Sequence, residues 1–162
     1  MIVDRNNIKE YFERYRDNVF ALSFSYFRDA ASADDCVQET FIRLLKSEKE
    51  FESEDHIRNW IMKVAVNECR RVTLSSWFKK KQPLEEYAES LMFETPEESE
   101  VFMTVMKLPV KYRQVTHLYY YEGYSVKEIG EMLGISGTAV TTRLSRARRM
   151  LKEELMEVWQ DE

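Results

Sequence analysis

Between Gly137 and Lys152 the sequence carries five cations, Arg143, Arg146, Arg148, Arg149 and Lys152, and no Asp or Glu. Hydroxyl residues are interleaved with them at Thr138, Thr141, Thr142 and Ser145. Short hydroxyl side chains can approach base edges closely, and guanidinium groups can pair with guanine or with phosphate. The chain as a whole is acidic, with a formal net charge of -5, and an acidic average disfavours a nucleic-acid partner. Segregation of charge therefore decides more than its sum. No other chemistry is set up as clearly. Cys36, Cys69, His56 and His117 lack metal-ligand spacing and are expected to be structural. The carboxylates show no catalytic pairing and no Gly-rich phosphate loop is present, so no catalytic residue, metal or cofactor is expected.

A cationic stretch of this kind needs a helix to carry it. Ser125-Val126-Lys127-Glu128 is a capping box opening a short helix with Val126, Ile129 and Leu133 inward. Gly134-Ile135-Ser136 makes a tight turn, with Gly134 suited to the left-handed position that ends a helix. Ser136 can cap a second, longer helix with Val140, Leu144, Ala147, Leu151 and Leu155 as its buried face. Gly130 sits where two crossing helices approach. Short helix, turn, longer helix is a helix-turn-helix. At about 100° per residue, Thr138, Thr142, Ser145, Arg146 and Arg149 oppose the apolar stripe, with Thr141, Arg143, Arg148 and Lys152 beside them. A solvated face closing a helical hairpin would look similar, but caps, glycines, apolar spacing and charge all agree on DNA binding.

Gly 4 and Pro 3 in 162 residues argue against sandwiches, barrels and doubly wound sheets. Hydrophobic residues at 44% and aromatics at 13% exclude intrinsic disorder. The expected fold class is all-α, with two small helical domains joined by a flexible acidic linker. In the first, Ile8, Tyr11, Phe12, Tyr15, Val19 and Leu22 repeat at helical spacing. Ser32-Ala33-Asp34-Asp35 places acids at the start of the next helix, whose stripe is Val37, Phe41, Leu44 and Leu45. Ile57, Trp60, Ile61 and Val64 mark a third helix. From Leu84 to Glu100 there are seven glutamates and no Lys or Arg, with a short helical turn expected at Leu84–Met92. Thr95-Pro96-Glu97-Glu98 then signals a helix start. The expected boundaries are 1–80, a linker at 81–95, and 96–162. This acidic linker is expected to rest on the basic helix in the free protein and weaken unassisted DNA binding. Tyr119-Tyr120-Tyr121 is taken as interior plus helix end. Two cysteines, no bilayer-length apolar run and no signal-peptide pattern point to a cytoplasmic protein without direct membrane insertion.

The first domain offers two further polar surfaces. Asn59, Lys63, Asn67 and Arg70 share one face of the Trp60 helix and suit bases and phosphates. On the preceding helix, Ile42 faces outward beside Asp35, Gln38, Glu39 and Arg43, an apolar residue in a charged rim that suits a protein interface.

These residues are also recognisable together. Asp34-Asp35-Cys36-Val37-Gln38-Glu39-Thr40-Phe41-Ile42-Arg43-Leu44 resembles a stretch of bacterial extracytoplasmic-function sigma factors. Trp60-Ile61-Met62-Lys63-Val64-Ala65-Val66-Asn67 resembles that family's promoter-melting helix. Leu108-Pro109, Tyr112-Arg113, Tyr121-Glu122-Gly123-Tyr124-Ser125, Leu133-Gly134-Ile135-Ser136 and the run Thr138 to Arg148 resemble its region four. The resemblance implies regions two and four joined by a linker, and a dissociable specificity subunit of core RNA polymerase. Region two would dock on the polymerase clamp through Asp35, Gln38, Glu39 and Ile42, with Arg43 on the same surface. It would take the minus-ten element of promoter DNA, with Asn67 and the loop Lys49 to His56 holding a flipped base. Region four would read the minus-thirty-five element through its second helix. An anti-sigma factor is the implied inhibitory partner. The competing expectation is a stand-alone helix-turn-helix regulator, which requires a dimer and a palindromic operator.

Overall fold

The computed structural model describes residues 1–73 and 95–160. The chain divides into two compact units, Met1–Lys81 and Gln82–Glu162, in keeping with an all-helical, two-domain architecture. Apart from Thr95, the expected linker lies outside the described residues, as does the helical turn at Leu84–Met92. Among the described residues the only extended pairing is one antiparallel bridge between Ile2 and Glu50.

Among the described residues the first unit contains three helices, α1 (Ile8–Phe27), α2 (Ala30–Ser47) and α3 (Glu54–Thr73). Each is amphipathic, and Val19, Leu22, Phe27, Leu44, Ile57, Ile61 and Val66 are fully buried among them. Burying such a side chain contributes about 1.5–3 kcal/mol, so the shared interior, not helix propensity, holds the unit together. Leu45, Trp60 and Val64 lie at its edge, half-buried. The start of α2 differs from the sequence-based expectation. Arg28 ends α1 in the left-handed region at φ 58, and Asp29 caps α2 by accepting the Ser32 N–H at 3.0 Å. The helix thus begins a turn early, leaving Asp34 and Asp35 exposed in its second turn, beyond the strongest reach of the helix dipole. At the start of α3, Ser53 accepts the His56 N–H at 3.1 Å.

The second unit contains α4 (Pro96–Lys107), α5 (Val110–Thr116), a π-helical turn (His117–Tyr121), α6 (Val126–Leu133) and α7 (Gly137–Gln160). Thr95 caps α4 by accepting the Glu98 N–H at 3.1 Å, with Pro96 in first position. Buried Arg113 donates to the Leu108 carbonyl at 2.8 Å and ties the α4–α5 corner. In the π turn, the Glu122 N–H reaches back to the His117 carbonyl at 3.1 Å, and His117 pairs with Glu122 at 3.0 Å in the interior. The residue that a π turn adds rotates its neighbours relative to an α-helical register. Tyr119 is half-buried, and Tyr120 and Tyr121, at the end of the turn, are 54% and 56% exposed.

The helix-turn-helix forms as its caps dictate. Ser125 and Glu128 make a reciprocal capping box, and Gly134 ends α6 at φ 67. Gly130 approaches the turn rather than the crossing helix itself. A Cβ there would lie 2.8 Å from the Ile135 carbonyl oxygen. Ser136 accepts the Ala139 N–H at 3.1 Å and starts α7. Val140, Leu144 and Ala147 are buried, while Leu151 and Leu155 are only half-buried.

Candidate nucleic-acid and protein interfaces

The solvent face of α7 is set by which of its residues the interior consumes. With Val140, Leu144 and Ala147 inward, Thr138, Thr141, Ser145, Arg146, Arg148, Arg149 and Lys152 are exposed, and Thr142 and Arg143 are half-buried. The Thr141 hydroxyl donates to the Gly137 carbonyl at 3.0 Å, which leaves its oxygen as an acceptor. Among the described residues no carboxylate pairs with Arg143, Arg146, Arg148, Arg149 or Lys152. Among the described residues this cationic face is therefore uncompensated, the electrostatic condition for holding a polyanion.

A pair of tyrosines orients Arg148 on this face. Burial pushes the Tyr112 phenol up, but hydrogen bonding to Arg146, with the charge of Lys111, brings it below its ordinary value. Arg148 lies over the Tyr119 and Tyr120 rings at 5.8 and 5.6 Å and donates to the Tyr120 hydroxyl. Sequence reasoning missed both partners, because the π turn that presents Tyr119 and Tyr120 has no periodic signature.

On α3, Asn59, Lys63, Asn67 and Arg70 share one face; Lys63 and Asn67 are exposed, and Asn59 and Arg70 half-buried. The loop before α3 is fixed by Phe51, which is buried and meets the rings of His56 and Trp60 edge-on at 5.2 and 5.7 Å. Nδ1 of His56 accepts the Glu52 N–H at 3.1 Å, which makes Nε2 the protonated nitrogen of the neutral ring. Asn67 stands eleven residues along α3 from His56. At 1.5 Å per residue that is about 16 Å, too far for one base to touch both.

On α2, Asp35 and Gln38 are exposed, Glu39 is half-buried and Ile42 is 44% exposed. Arg43 is the exception within the expected surface, because its guanidinium is already engaged. It donates to Glu39 at 3.0 Å and pairs with Glu68 of α3 at 3.1 Å. Glu68 is 3% exposed at its side chain and also pairs with Arg71 at 2.5 Å. Sequence reasoning passed over Glu68, although it falls on the apolar rhythm Ile57, Ile61, Ala65. A carboxylate on a buried stripe is a signal that basic residues must gather around it.

Two small helical units, the second ending in a helix-turn-helix with an exposed cationic face, are the build of a helical DNA-binding protein. Descriptions of Sigma-70 region 2 and of Sigma-70 region 4 match residues 11–80 and 99–151 in that order, and the chain belongs to the RNA polymerase sigma factors of the extracytoplasmic-function group. It is 27% identical to the ECF RNA polymerase sigma factor SigW of Bacillus subtilis, over 96% of this chain and 92% of that protein. It is also 27% identical to SigZ of the same organism, over 92% and 87%. The fold is shared with RpoE from Bartonella quintana, solved in complex with the anti-sigma factor NepR, at a TM-score of 0.69 and 17% identity over 93% and 97% of the chains. CnrH, solved with the cytosolic domain of CnrY, gives a TM-score of 0.68 at 23% identity, over 94% and 90%. Among the described residues no helix is long and apolar enough to cross a membrane.

Proposed function

We propose that the chain is a promoter-specificity subunit that docks on core RNA polymerase, recognises two promoter elements and assists melting, without catalysis of its own. The observation that carries this is the exposed cationic face of α7, without a carboxylate partner among the described residues, in a chain that is acidic overall. In this proposal α7 enters the major groove at the minus-thirty-five element. Thr138, Thr141, Thr142, Arg143 and Arg146 approach base edges, and Arg149 a phosphate.

The first unit has two tasks in the proposal. Ile42, with Asp35, Gln38 and Glu39 around it, docks on the polymerase, and Arg43 shapes that rim through its ion pairs. The α3 face takes the minus-ten strand. Melting costs stacking and pairing energy, and capturing an extruded base offsets a few kcal/mol of it. The rigid Phe51–His56 loop is suited to hold such a base. Asn67, about 16 Å further along the helix, contacts a different nucleotide, with Asn59, Lys63 and Arg70 along the strand. The acidic stretch at Leu84–Glu100 is proposed to weaken unassisted DNA binding. By analogy with the solved complexes of RpoE and CnrH, an inhibitory protein covers these surfaces in the cytoplasm until a signal releases them.

Run-off transcription with purified core polymerase tests the proposal. Promoter-dependent transcripts that require the chain are expected. A chain that binds a palindromic operator as a dimer and adds nothing to core polymerase would overturn it.

A further inference from the structure

Where α2 crosses α3, two thiols face each other in the interior of the first unit. Sγ of Cys36 and Sγ of Cys69 are 3.9 Å apart, and Cys36 Sγ is 3.7 Å from the Ala65 carbonyl, one turn before Cys69. Both are unbridged and buried, at 2% and 1% exposure. Ala33 and Ala65, one turn away from each and fully buried, keep the two helices close at this crossing.

The surroundings are polar for a helix interior. The Thr40 hydroxyl is 4.0 Å from Cys36 Sγ, and the Glu68 carboxylate adjoins Cys69. Ser23 is completely buried, its hydroxyl makes no conventional hydrogen bond, and it lies beside both sulfurs. An orphaned buried hydroxyl normally costs stability. The two thiols are also unequal. Donation from Cys69 holds Cys36 below the ordinary thiol range, whereas burial pushes Cys69 well above it.

We propose that Cys36 and Cys69 form a peroxide-sensitive dithiol that closes to an intramolecular disulfide between α2 and α3. The Cys36 thiolate attacks a hydrogen peroxide oxygen; an S–O bond forms, the O–O bond breaks, and the departing hydroxide takes a proton and leaves as water. The Cys69 thiol then attacks the Cys36 sulfur. The S–S bond forms, the S–O bond breaks, and a second water leaves. Two thiols are oxidised and one peroxide is reduced. Closure from 3.9 Å to about 2.0 Å combines side-chain rotation with a small slide of α2 on α3. Because Glu68 precedes Cys69, that slide reaches the Arg43 ion pair. The dithiol itself does not rest on the proposed role in transcription.

The test is peroxide titration of the purified chain, followed by alkylation under denaturing conditions and intact-mass measurement. The expected result is loss of the two thiol hydrogens, a fall from two alkylatable thiols to none, and full reversal by dithiothreitol. In Cys69→Ser, dimedone should trap a sulfenic acid at Cys36, and Cys36→Ser should stay unlabelled. The wild-type titration needs no variant to fold. Two thiols still alkylatable at tenfold excess of peroxide, over-oxidation of one cysteine without a bridge, or a bridge only between chains would each overturn the proposal.

Discussion

Arg43 of α2 and Glu68 of α3 form an ion pair of 3.1 Å in which the carboxylate is 3% exposed and the guanidinium 42%. The pair ties the interior of the first unit to the rim of its candidate docking surface. Oε2 of Glu68 accepts from both Arg43 and Arg71, and Oε1 accepts from Arg71, so neither oxygen is left facing apolar atoms.

Glu68→Gln keeps the shape but removes the charge that two guanidinium groups face. It should destabilise the chain by about 1–3 kcal/mol, read as a lower urea midpoint. Arg71→Ala should cost a comparable amount, because Arg43 reaches Oε2 only and Oε1 loses its donor. Equal midpoints for wild type and Glu68→Gln would show that the carboxylate anchors nothing.

Ile42 is 44% exposed, so Ile42→Asp should change folding stability by no more than about 0.5 kcal/mol. Its binding to core polymerase should fall by at least about 2 kcal/mol, since a buried interface cannot easily accept an unpaired carboxylate. Wild-type affinity in a fluorescence titration would remove Ile42 from the docking surface.

Asn67→Ala should impair open-complex formation more than initial promoter binding, because its amide meets a nucleotide available only after melting. Permanganate reactivity of the melted strand, compared with closed-complex affinity, separates the steps. Equal losses in both would contradict this assignment.

Arg146→Ala should lose about 1–3 kcal/mol of affinity for the upstream element and relax selectivity at one base pair. Arg149→Ala should weaken all promoters alike and reduce the salt slope by about one. If Arg146→Ala lowers affinity uniformly across single-base variants of the element, base reading belongs to Thr142 and Arg143.

Glu54 links α3 to α1, accepting from the Tyr15 hydroxyl at 2.6 Å and pairing with Arg14. The Tyr15 hydrogen bond, with Arg14, holds the Glu54 carboxyl below its ordinary value. A depressed carboxylate contributes stability above its unfolded pKa and loses it as pH falls through the lower folded value. Burial, then the bond to Glu54, pushes the Tyr15 phenol up to about 12. Its contribution is complete below the unfolded value near 10 and is lost as pH rises towards 12. Tyr15→Phe should therefore flatten both the acid and the alkaline limbs of stability against pH, measured by urea unfolding. Limbs as steep as wild type would dismiss the link.

The helix-turn-helix was legible from local chemistry. Ser125, Glu128, Gly134 and Ser136 act within a few residues of themselves, so their types and spacing settle where α6 ends and α7 starts. The same holds for Thr95 and Pro96, and for the alternation of apolar and cationic residues that turns one face of α7 outward. Asp29 was passed over in favour of Asp34 and Asp35, because a lone Asp before alanines is a weaker signal than an acidic pair.

Contacts between helices were another matter. Periodicity marks which face of α2 and α3 is inward, but not which inward residues meet across the crossing. Glu68 beside Arg43, Cys36 against Cys69 and Glu54 under Tyr15 are all separated by 25 or more positions. The π turn that exposes Tyr120 and Tyr121 arises because Glu122 finds a buried partner in His117, which adds one residue to the turn. Short-range sequence therefore determined the elements, their caps and the charged face of α7. Only tertiary packing decided which charges were already paired and which thiols were neighbours, because those pairings depend on distances between helices that no local rule contains.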